Sequence, residues 1–231
     1  MPVFDSSYEI YVNGNKMGRN GIPGVSEDET EPYYEKNLFR FNPDSDTIEI
    51  ILNVSNFHHR RGGFWMPMRI GTFNEIQQNF AFGWAKDWSS CSFLLAFSLL
   101  FLFFFLIFKR DRQTVFFSIG TIGLAVRPLF TSNFLIHNLV SVRWDWIVRW
   151  EYLGLYTILA GWYWFALYLY RSRCFRIVTL GVTAILAVAA VVTITAPVST
   201  FSYMTFVIYP LQVILFATVL FESIKGIIKG N

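Results

Sequence analysis

Hydrophobic positions change their period along the chain. Residues 8–12, YEIYV, alternate apolar and polar side chains and run into Asn13-Gly14-Asn15, which predicts a strand closed by a tight hairpin turn. Residues 18–24, with Gly21 and Pro23, read as a loop. The acidic stretch 27–35 lacks the fixed ligand alternation of a calcium loop and is expected to be a solvated loop. After a turn at 42–46, residues 47–55, TIEIILNVS, carry the best strand pattern of the chain, and 66–70 look like a short closing strand. Short strands parted by Gly, Pro and Asn turns predict an all-β sandwich or jelly roll over residues 1–71. That length is short for a complete one, so only part of such a domain is expected, its remainder lying upstream.

At residue 72 the period turns helical. Thr72 followed three residues later by Glu75 is a capping-box pattern, and Ile76, Phe80, Trp84 and Trp88 recur every fourth position. A linker helix over 72–88 follows, its apolar stripe expected to face the membrane. Residues 91–108 contain no charge and end at Lys109-Arg110-Asp111-Arg112. A bilayer crossing needs about 20 mostly apolar residues, and 89–108 supply them. Further runs at 115–134, 148–170, 177–198 and 201–221 make five predicted spans within 89–221 and leave the tail 222–231. The expected fold class is therefore a multidomain membrane protein: a partial β-sandwich followed by an α-helical transmembrane bundle.

Charge fixes the expected orientation. Residues 1–90 hold twelve acidic and eight basic side chains, whereas 91–231 hold four and eleven. The positive charge thus sits beside apolar spans, where topology explains it, and no nucleic-acid partner is expected. Lys109, Arg110 and Arg112 in one loop, Arg171, Arg173 and Arg176 in another, and Lys225 and Lys229 in the tail mark the cytoplasmic side. The β module is then extracytoplasmic on an inner (plasma) membrane, with Trp144, Trp146 and Trp150 as the outer aromatic belt. The first residues lack the basic and apolar regions of a secretory signal, so this placement also predicts a start upstream of Met1. Cys91 and Cys174 fall on opposite faces and should not pair.

Charges inside spans are costly, about 2.5 to 3.5 kcal/mol each on insertion scales, so Arg127 and Glu151 need a reason. Both lie toward the outer end of neighbouring helices, and an ion pair joining the second and third spans would supply it; the alternative is that each snorkels separately to the interface. The run His58-His59-Arg60-Arg61 with Phe64 and Trp65 offers donors and aromatic faces for a sugar or carboxylate ligand; a packed turn is the alternative. Adjacent strand residues face opposite sides, so His58 and His59 are not expected to share a metal. Gly120, Gly123, Gly154 and Gly161 read as helix-packing positions. With no HExxH, GxSxG or phosphate loop, no catalytic residue, cofactor or enzyme activity is expected.

Two regions resemble a known family, the bacterial seven-transmembrane receptors with diverse intracellular signalling modules. YEIYVNGNKMGRNG and IEIILNVSNFHHRRGGFWMPMRIG look like the galactose-binding-type jelly roll that some of these receptors carry outside the cell. GLAVRPLFTSN and RWEYLGLYTILAGWYWFALYLYRSR look like the family's arginine-bearing helix and Arg-x-Glu-Tyr-Leu entry, matching at Arg127, Arg149, Glu151 and Tyr152. The resemblance implies signal transduction: an extracytoplasmic domain sensing a carbohydrate or other small molecule, and a bundle that drives a cytoplasmic kinase or cyclase module. It also implies departures, since five spans and a short tail stand where the family has seven and an output domain; the chain is either truncated or works through a separate partner or a homodimer. A small permease with a soluble cap is the rival reading, kept alive by Pro128 and Pro210 within spans.

Overall fold

The computed structural model describes residues 4–43, 46–64, 67–108 and 111–229. The fold is mostly helical, with one small antiparallel sheet. Strands β1 (Ser7–Val12), β2 (Asn15–Asn20) and β3 (Ile50–Ser55) run in the order β2-β1-β3. Asn13 and Gly14 both take positive φ in the β1–β2 turn, the geometry that Asn-Gly tolerates and most residues do not. Alternation along β1 buries Tyr8, Ile10 and Val12 on one face, where Phe4 joins them.

A two-layered sandwich does not form among the described residues. The layer opposite β1 is coil, from which Phe39, Phe41 and Ile48 pack on the sheet core together with Phe64. The expected closing strand is also missing: residues 67–70 are irregular, and Phe64 makes only an isolated bridge to Phe4. Pro67 has no N–H to give a ladder.

Among the described residues five long helices follow: α1 (Phe73–Phe108), α2 (Arg112–Phe130), α3 (Trp144–Tyr170), α4 (Arg173–Thr195) and, after the short α5 (Val198–Phe201), α6 (Thr205–Lys229). Among the described residues four stretches are long and apolar enough to cross a membrane: α1, α2, α4 and Val198–Ile228. This is a membrane protein by length and composition. The fourth stretch takes in α5, the 3-10 turn Ser202–Met204 and most of α6. Helix α3 is not among the four, because its Trp and Tyr rings and its charges lower its hydropathy. It is instead the centre of the bundle, packed against α2, α4 and α6.

The capping box at Thr72 forms, with Thr72 Oγ1 2.9 Å from Glu75 Oε2. Linker and first span are one unbroken helix of 36 residues, about 54 Å long. Its stripe is half-buried: Lys36 lies over the Phe80 ring at 5.3 Å, and beside the stripe buried Asp87 accepts a hydrogen bond from Asn133. Helices α2 and α3 meet through glycine. A Cβ on Gly161 would lie 2.6 Å from Gly120 Cα, a separation that no larger residue permits. Cys91 and Cys174 are both free thiols.

Candidate functional site

Among the described residues, hydrogen bonds from Tyr34, Lys36 and Arg60 join the sheet module to one end of the bundle. Four segments meet there: the coil 30–37, the turn 56–61, and the loops 131–143 and 196–204 that join α2 to α3 and α4 to α6.

The turn is built by Asn56. Its side chain donates to the His59 and Arg61 carbonyls at 2.8 Å each and accepts the His59 N–H at 3.1 Å, folding the chain back on itself. Arg60 is thereby pushed into the bundle. Its backbone N–H donates to Ser202 Oγ at 3.2 Å and its Nε to the Ser202 carbonyl at 3.1 Å, while its guanidinium lies 4.8 Å from the Phe206 ring centre. The same carbonyl accepts the Tyr152 hydroxyl at 2.9 Å and the Thr205 hydroxyl at 3.1 Å. One fully buried carbonyl thus ties the turn, α3 and the start of α6.

His59 faces Asp5, with Nδ1 and Oδ1 3.5 Å apart and both side chains buried. Nδ1 is also 3.2 Å from the Arg61 N–H, and it cannot accept that hydrogen and donate to Asp5 at once. Burial lowers the His59 pKa below its ordinary value, against the pull of Asp5, which favours the neutral ring that accepts from Arg61. The Tyr34 hydroxyl donates to the same Asp5 oxygen at 2.8 Å. Burial first, and the Asp5 charge second, hold that phenol well above its ordinary pKa, so it remains a donor.

Tyr34 is also the plug between module and helices. Its ring packs on Phe134 and Trp144 with centroids 5.1 and 5.8 Å away, and its carbonyl meets His137 Nε2 at 2.9 Å. Phe134 is fully buried in the left-handed backbone region, strain that surrounding packing must hold. The neighbouring Lys36 donates to Asn133 at 2.9 Å, completing a polar chain from coil to Asp87 of α1. The acidic side chains of 27–35 are solvated as expected, but Thr30 and Tyr34 between them are buried.

Two cavities flank the junction. The smaller, about 100 Å³, is lined by His59, Arg60, Arg61, Arg127, Glu151 and Tyr152. It brings together the basic turn and two helix charges, which approach to 3.9 Å between Arg127 Nη2 and Glu151 Oε1. The larger, about 510 Å³, is an open cleft whose walls include Glu31, Tyr33, His58, Trp144, Arg149 and Ser199. Small-molecule sites usually have several hundred cubic ångströms, so only the cleft has room for a sugar-sized ligand. His58 and His59 point into different cavities. Trp65 lies outside the described residues.

Sequence reasoning placed Trp144 in a lipid-facing belt; it is buried against Tyr34 and His58, while Trp146 and Trp150 are exposed. Arg149 is also drawn inward, donating to the Thr193 carbonyl and lying 5.2 Å from the Phe201 ring centre. The residues missed altogether were Asp5, Tyr34, Asn133 and Ser202. Of these only Asp5 stood out in principle, as a carboxylate inside an aromatic segment.

Fold and junction together define a membrane protein whose small β module is docked, by a basic turn and an aromatic plug, onto one end of a helical bundle. Comparison of the chain with protein-family models, with curated proteins and with solved structures finds no match.

Proposed function

We infer that the protein is a transmembrane sensor: a ligand taken up in the cleft beside the junction shifts the β module and, through it, the helices. The observation that carries this reading is the Arg60 tether to Ser202. It joins the turn to the irregular segment between α4 and α6 and, through the shared carbonyl, to Tyr152 of α3. A ligand bridging Tyr33 or His58 of the module and Trp144 or Arg149 of the bundle would favour one arrangement of the two, which is what a shift in population requires.

In this reading the sheet belongs to a galactose-binding-like jelly-roll sensing domain. Helix α3 is a fifth crossing: enclosed by other helices, it need not be apolar by lipid standards. The junction end is extracytoplasmic, the arginine-rich end cytoplasmic, and the output a kinase or cyclase module on another polypeptide or segment. Ligands with hydroxyl and carboxylate groups suit the mixture of aromatic, acidic and guanidinium side chains in the cleft.

The test uses the full chain in nanodiscs with a panel of neutral and acidic monosaccharides. At least one sugar is expected to raise the unfolding temperature and to slow hydrogen exchange over 196–208. Arg60→Ala should keep the first effect and lose the second. Sugar-dependent uptake into vesicles would favour the permease reading instead, and binding without any change over 196–208 would refute coupling through Arg60.

A further inference from the structure

The opposite end of the bundle carries a second large cleft, about 520 Å³, where α2 begins, α3 ends and α4 begins. We propose that this cleft binds the phosphate headgroup of an anionic phospholipid. The proposal needs only that the chain lies in a bilayer and does not depend on the sensor reading.

Three guanidiniums line the cleft, those of Arg112, Arg171 and Arg176, against one carboxylate, Asp111. Among the described residues none of the three arginines is in an ion pair, and Asp111 is engaged by the Gln113 amide at 3.1 Å. Three like charges around one cleft repel each other unless an anion from outside the chain joins them. Arg171 occupies a left-handed C-cap position, and its Nε donates to the Tyr168 carbonyl at 3.3 Å, which fixes where its stem leaves the helix. The first turn of α4 adds the positive end of a helix dipole.

The cleft changes character with depth. Trp164 and Tyr168 form one wall, both stacked on Phe116 with ring centroids 5.3 and 5.4 Å away. Leu180, half exposed on the apolar helix α4, continues it toward the lipid. A charged rim above an aromatic and aliphatic wall matches an amphiphile whose phosphate takes guanidinium hydrogen bonds and whose acyl chain follows α4. A soluble anion would use only the rim. The level is also right, because the termini of membrane-spanning helices lie where headgroups lie.

The experiment is native mass spectrometry of the full chain from micelles holding equal amounts of phosphatidylglycerol and phosphatidylcholine. Retention of phosphatidylglycerol is expected to exceed that of phosphatidylcholine about tenfold. The triple variant Arg112→Gln, Arg171→Gln, Arg176→Gln should bring the ratio near one, whereas Arg143→Gln at the other end should leave it unchanged. Should the triple variant fail to fold, a second measurement that leaves the arginines in place decides. The fluorescence attributable to Trp164, obtained by difference from Trp164→Phe, should be quenched by brominated phosphatidylglycerol and much less by brominated phosphatidylcholine. Equal retention of the two lipids, equal quenching, or displacement of the lipid by inorganic phosphate would each overturn the proposal.

Discussion

The contact between α2 and α3 is asymmetric, and a pair of glycine substitutions should reveal it. Gly161 of α3 and Gly120 of α2 face each other, but their missing Cβ atoms point in different directions. A methyl on Gly161 would sit 2.6 Å from Gly120 Cα and 3.0 Å from the Phe116 carbonyl oxygen, about 1 Å or less inside ordinary contact and against backbone that cannot rotate away. A methyl on Gly120 would meet the Trp162 ring no closer than 3.4 Å. Any Gly→Ala change in a helix gains about 1 kcal/mol of propensity, and overpacking costs about 1–3 kcal/mol. Gly161→Ala should therefore destabilise by up to about 2 kcal/mol net, because the helices must part. Gly120→Ala should be near neutral. Gly181→Ala, with no atom within 4 Å of its Cβ, should be neutral or stabilising by up to about 1 kcal/mol. Reversible unfolding of the three variants in mixed micelles gives the order directly. If Gly161→Ala were no less stable than Gly181→Ala, the close approach of α2 and α3 at this level would be wrong.

Acid should weaken the junction through His59: with its folded pKa lowered from 6.5, the unfolded chain binds the proton first, so stability falls as pH drops below about 6.5, by at most about 1.4 kcal/mol per pH unit. Unfolding temperatures between pH 8 and pH 5 should show this slope reduced in His59→Gln, and an identical slope would discount His59. The Arg127–Glu151 pair should yield a coupling of about 0.5 kcal/mol in a double-mutant cycle with glutamine at each site, small because the 3.9 Å separation is long for an ion pair; strictly additive single effects would mean that the two charges act separately.

Much of the helical part was readable because lipid-length apolar runs leave little choice. The run 91–108, the capping box at Thr72 and the glycines of α2 and α3 each depend on local chemistry, and each appears as expected. The sheet was less legible. The alternation over 8–12 fixes β1, but nothing local says that coil rather than a second sheet covers it. The stripe Ile76, Phe80, Trp84, Trp88 was recognisable as apolar, yet its period carries no label for a partner, which at Phe80 is the coil residue Lys36. The junction was the least legible part. Arg60, His59, Arg127 and Glu151 were each conspicuous as charges in costly or crowded places. Ser202 and Tyr34 were not, since their importance comes from atoms 142 and 29 residues away in sequence.

The unbroken α1 looks at first like the lever between the two ends, but its packing argues for α3. Helix α1 leans chiefly on α2 and shows most of its apolar surface to the surroundings, while its tie to the module is the polar chain Lys36, Asn133, Asp87. Helix α3 holds Tyr152 at the Ser202 carbonyl and Glu151 beside Arg127. Further along the same helix, Tyr163 donates to the Leu211 carbonyl of α6 at 2.5 Å, and Trp164 to Thr183 of α4 at 3.0 Å. Trp164 in turn lines the arginine-rimmed cleft. A displacement of the 56–61 turn would therefore reach the far end of the bundle through one central helix with fixed partners on three sides. An outer helix free on most of its circumference would dissipate the same displacement into lipid.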